Sequence, residues 1–157
     1  MDEVIAKFTT PESCEQFALN VEARFPERAR EARRRAVELR AAAHGASNDA
    51  EREALEAVYA YERVLSGARG RKTRASRTWQ MIERHGIIAA VERVVARSNV
   101  SAGYEALVKM GMEDMAFEAV VLRHPDVFSP KAVARSKERL HELAVPTTTS
   151  AAPRAEG

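Results

Sequence analysis

"PERAREARRRAVELRAAAHG", Pro26 to Gly45, decides the fold class. Counting from Phe25 just ahead of it, the apolar positions Phe25, Ala29, Ala32, Ala36, Leu39 and Ala43 recur in alternating steps of four and three. That is the period of a helix with one narrow apolar seam; a strand would alternate every second residue. Pro26 suits a first helical turn, Gly45 suits a stop, and the small seam residues let a partner helix approach closely.

Upstream, "TTPESCEQFALNVEARF" offers Thr10 as N-cap and Pro11 at the first helical position, with a helix to about Phe25. Downstream, Asn48 and Glu51 form a capping-box pattern ahead of Ala54, Ala57, Val58, Tyr61, Val64 and Leu65. The short connection between these two apolar seams predicts an antiparallel helical hairpin. Arginines crowd its first helix from Arg28 to Arg40, but Glu27, Glu31 and Glu38 lie among them. Glu31 sits one turn from Arg35, and the next helix offers Glu51, Glu53, Glu56 and Glu62. Mixed charge of this kind reads as a salt-bridged helix face, not as a nucleic-acid element.

Helical periodicity resumes over Arg74 to His85, closed by Gly86, over Ile87 to Arg97, and over Ser101 to Met110 ahead of Gly111. "MEDMAFEAVVLRHP" is apolar around nearly its whole circumference, so a central buried helix is expected there, ended by Pro125. Ser129 and Pro130 open a last helix to about Ala144. The expectation is an all-α bundle of about seven or eight helices in a single domain, 1–144. It divides into N-terminal helices with the hairpin (11–66), a basic loop (67–73) and a compact C-terminal group (74–144). The polar remainder, 145–157, reads as a disordered tail.

A chain of 157 residues can bury a core without disulfides or metals. Its one cysteine, Cys14, excludes an internal disulfide, and the opening "MDEVIAKF" lacks the pattern of a signal peptide, so the cytoplasm is the expected location. No apolar run approaches the roughly 20 residues of a membrane span. The net charge of +2 says little; its local clustering says more.

"RGRKTRASRTWQ", Arg69 to Gln80, is the unbalanced stretch, with no acidic residue from Gly67 to Met81. Winding Arg74 to His85 at about 100° per residue puts Ala75, Trp79, Ile82 and Gly86 on one face, with Arg74, Arg77, Met81 and Arg84 opposite. Trp79 then reads as a core anchor and not as a platform for bases. Arg69, Arg71, Lys72, Arg74, Arg77 and Arg84 form a candidate phosphate-binding set near a helix N-terminus, with Gln80 the neighbour able to reach a base edge. A helix-turn-helix is disfavoured, since the second helix would present Ala89, Arg93, Ala96 and Arg97, poor in base-reading side chains.

No catalytic or metal motif emerges. His44, His85, His124 and His141 are scattered, Cys14 has no histidine partner, and Met110, Met112 and Met115 read as core filling. His124 reads as a helix-end residue. Asp114 and Glu118, one turn apart, are the best acid–base candidates, with a solvated stripe the plainer reading. No cofactor is expected. The function expected is non-catalytic binding of nucleic acid, DNA ahead of RNA, or of another polyanion. The alternative is a protein-interaction module or homo-oligomer using the Ala-rich seam.

Overall fold

The computed structural model describes residues 2–97 and 101–144, so the expected tail lies outside the described residues. Among the described residues the chain forms α1 (Glu3–Ala6), α2 (Pro11–Val21), α3 (Pro26–His44), α4 (Asp49–Arg69) and α5 (Ser76–His85). There follow α6 (Ile87–Arg97), α7 (Ser101–Lys109), a 3-10 turn (Glu113–Met115), α8 (Phe117–Arg123) and α9 (Pro130–Ala144). The all-α bundle is as expected. Local chemistry starts its helices: Thr10 Oγ1 accepts from the Ser13 N–H at 3.2 Å, Asn48 Oδ1 from Glu51 at 2.9 Å, and Ser129 Oγ from Ala132 at 3.1 Å.

Helices α3 and α4 form the antiparallel hairpin, since Val37 clusters with Ala60 while Ala41, further along, clusters with Ala54, Leu55 and Ala57. The hub is α4, which packs against α3, α6, α7, α8 and the 3-10 turn and buries Ala54, Leu55, Ala57, Val58 and Ala60.

Three expectations are corrected. First, α3 buries Ala29, Ala32 and Ala36 as its seam requires, but also Val37 and Ala41, while Phe25 and Ala43 are exposed. The helix is sandwiched between α2 and α4 and so needs two buried strips. Ile5 of α1 and Ala18 of α2 cover Ala29 and Ala32, which fills that part of the seam within the chain itself. Second, the all-round apolar segment is not one helix. Met112 and Met115 both enter the cluster of Val37, Ala60 and Leu107, and this three-residue spacing is met by a 3-10 turn. Ala116 is then extended, and α8 starts only at Phe117. Third, α4 runs on to Arg69 and α5 begins at Ser76, so the basic loop is Gly70 to Ala75.

The arginines of the hairpin are compensated, by Glu27 and Glu38 of their own helix as expected and by further acids from elsewhere in the fold, while Glu31 accepts from the Asp2 N–H instead of pairing with Arg35. Arg28 pairs with Asp2, Arg33 with Glu22, Arg35 with Glu38, and Arg40 with Glu15. Arg34 reaches Asp114 at 2.8 Å, and Arg63 of α4 shares Glu15 with Arg40. Asp2 and Glu22, which cap α1 and α2, and Glu15 within α2 supply three of these acids, because α1 and α2, and not the acidic face of α4, pack along that side of α3.

Candidate nucleic-acid interface

The basic loop is strapped to the hub helix at two points one turn apart. Glu62 Oε2 accepts from the Ala75 N–H at 2.8 Å and from Trp79 Nε1 at 2.7 Å. Ser66 Oγ accepts from the Thr73 N–H at 2.8 Å, and Gly70 makes the reversal out of α4 at φ +71°. Trp79 is only 6 % exposed, as an anchor should be, and sits between His44 and Tyr59 with ring centroids 5.2 and 5.3 Å away. These contacts hold a short polar segment in one place without a helix of its own.

The loop forms one side of a cleft of about 1020 Å³ whose other walls come from α4, α6, α7 and the start of α8. That volume lies at the upper end of the roughly 300–1,000 Å³ usual for ligand sites. Arg69, Arg71, Lys72, Arg74, Arg77 and Arg97 line it, together with Tyr61, Tyr104 and Phe117. Among the described residues none of those six cations lies within ion-pair distance of a carboxylate. The first residues of α5, Ser76 to Thr78, also line the cleft, and the N-cap residue Ala75 has no polar side chain to bond them. Glu62 takes the Ala75 N–H and the Arg74 carbonyl takes the Ser76 N–H, so the N–H groups of Arg77 and Thr78 are the ones left to add to the positive field.

Five of the seven residues predicted from sequence thus meet at one cleft. Gln80 and Arg84 are exposed on α5 but do not line it. Arg74 departs from the expected geometry: it precedes the helix, and its guanidinium lies 5.1 Å from the centroid of the Trp79 ring instead of opposite it. Sequence reasoning missed Arg97, Tyr61, Tyr104, Phe117 and Glu118 as lining residues. A signal existed for Arg97, which follows Arg93 by one turn with like charge, and for Tyr61, whose hydroxyl at an apolar position asks for a polar edge.

The remaining candidates fall into structural roles. Asp114 and Glu118 are neither a coupled pair nor a shared solvated stripe. Asp114 sits exposed on the 3-10 turn, where its hydrogen bond to Arg34 holds its carboxyl below the usual aspartate range. Glu118 is buried on α8 with Arg139 Nε 3.3 Å away. Burial pushes the Cys14 thiol up, in keeping with a small apolar role. His124 follows α8 and faces Glu53 at 3.2 Å; burial would raise the Glu53 carboxyl, but Arg123 and His124 together hold it low. Among the described residues no three His, Cys, Asp or Glu groups could hold a metal ion, and no helix is long and apolar enough to cross a membrane.

In comparisons with protein-family models, with curated proteins and with solved structures, the chain matches none.

Proposed function

We propose that the protein binds nucleic acid, DNA in the first instance, through the cleft between the basic loop and helices α4, α6 and α7, and catalyses no reaction on it. The observation that carries this is a contrast within one chain. The arginines of α3 that face α1, α2 and the 3-10 turn have carboxylate partners, whereas the six cations of the cleft converge without one among the described residues. Self-repulsion among converging cations opposes folding, and an anionic backbone relieves it while releasing counterions. Arg69, Arg71, Lys72, Arg77 and Arg97 contact phosphates, and Arg74 does so from its place over Trp79.

The test is a titration of labelled single-stranded and duplex DNA between about 50 and 200 mM salt. Six phosphate contacts on a single strand give a log–log slope of about −4. Reversing Arg71, Lys72 and Arg77 to glutamate removes binding and leaves the helical circular dichroism unchanged. Unaltered binding in that variant contradicts the proposal.

A further inference from the structure

The floor of the cleft has a different chemistry from its rim. Tyr61 and Tyr104 are half-buried there, and the Phe117 ring meets the Tyr61 ring edge-on at 6.1 Å. Glu118, the next residue in the chain, lines the same cleft at 3 % exposure. Arg139 Nε stands 3.3 Å from Glu118 Oε2, near enough to pair charges but not aligned as a hydrogen bond, and that buried oxygen has no hydrogen-bond donor among the described residues. Buried polar atoms are nearly always hydrogen-bonded, so such an oxygen marks a place where a donor is missing. Paired with a guanidinium, Glu118 is an acceptor only.

Phosphate cannot use this floor, because phosphate oxygens are acceptors as well. Rim and floor together suit a ligand with anionic groups on one side and a flat ring bearing N–H donors on the other. A nucleobase lifted from a single strand has that form; in a duplex its donors are already engaged. The four bases differ at the edge a carboxylate would meet. Guanine presents two adjacent donors, N1–H and the 2-amine. Adenine and cytosine set an amine beside a ring-nitrogen acceptor, and thymine flanks its single N–H with carbonyls.

Building on the nucleic-acid reading above, we infer that the cleft takes one unstacked guanine of a single strand. Glu118 accepts from its Watson–Crick edge, Tyr61, Tyr104 and Phe117 pack against the ring, and the rim cations hold the flanking phosphates. The carboxylate selects the base; the cations supply affinity without selecting.

The experiment uses the whole protein and short labelled oligothymidines whose central base is guanine, hypoxanthine or adenine. Guanine is expected to bind on the order of tenfold more tightly than adenine, with hypoxanthine, which keeps N1–H and lacks the amine, between them. Glu118→Gln levels the series while overall strand binding persists. Should that variant fail to fold, the base series in the unaltered protein decides alone. Equal binding of guanine and adenine strands overturns the guanine pocket and leaves nucleic-acid binding standing; no binding of any strand at low salt removes both. Deoxyguanosine monophosphate binding as tightly as the strand would overturn the single-strand assignment in favour of a free nucleotide.

Discussion

Glu62 Oε2 receives two N–H donors at once, Trp79 Nε1 at 2.7 Å and the backbone of Ala75 at 2.8 Å. One carboxylate on the hub helix therefore fixes both the buried end of α5 and the start of the basic loop's exit. It also places a single negative charge beneath a strongly positive segment, where it attaches the loop without neutralising its outer face.

Truncation at this point is expected to be costly. Glu62→Ala leaves two donors without an acceptor, worth about 2–4 kcal/mol together. Urea denaturation followed by Trp79, the sole tryptophan, checks this, with red-shifted emission in the folded variant as the accompanying sign. A loss under about 0.5 kcal/mol would show that the bonds do not matter.

Gly70 carries the turn that aims the loop. A side chain there would meet nothing within 4 Å, so any penalty comes from its φ of +71° and not from a clash. Gly70→Val is expected to cost about 1–2 kcal/mol and to weaken DNA binding as the loop shifts, while Gly70→Asn, which tolerates this conformation, costs less. Equal effects of valine and asparagine on thermal stability would refute the backbone explanation.

The Asp114–Arg34 pair predicts a pH signature. Because the folded-state carboxyl is held below the ordinary value of about 4, its contribution is present above that value and is lost as pH falls through the lowered one. Both side chains are partly exposed, 48 % for Asp114 and 31 % for Arg34, so solvent screening limits the pair to under about 1 kcal/mol. Asp114→Asn should therefore lower stability slightly at pH 7 and not at pH 2. A larger loss at pH 2 than at pH 7 has the wrong sign.

Ala32 separates core from interface. It is fully buried against α1 and α2, and Ala32→Leu should overpack that contact by about 1–3 kcal/mol. The fall in melting temperature is expected to be the same at every protein concentration. A fall that grows on dilution would place Ala32 between two copies of the chain.

Helix starts and stops were legible because their chemistry is local: Thr10 with Pro11, Asn48 with Glu51, Ser129 with Pro130, and Gly45, Gly86 and Gly111 at positive φ. What needs tertiary partners was not. The short helix α1 is held by Asp2 reaching Arg28, far along the chain. The break before Phe117 is hidden because a segment apolar on all sides shows no phase, and only the joint burial of Met112 and Met115 requires it. In the candidate site, the run of cations was visible as a run, but its aromatic floor and Glu118 are brought to it by α4, α7 and α8, which no spacing reveals.

The most direct test is an amide and side-chain NMR map of the protein titrated with a short guanine-containing single strand. Resonances of Arg71, Lys72, Arg77, Arg97, Tyr61, Tyr104 and Glu118 are predicted to move together, with Arg30 and Arg33 of α3 unmoved. Perturbation centred on α3, or none at low salt, would contradict the cleft as the nucleic-acid site.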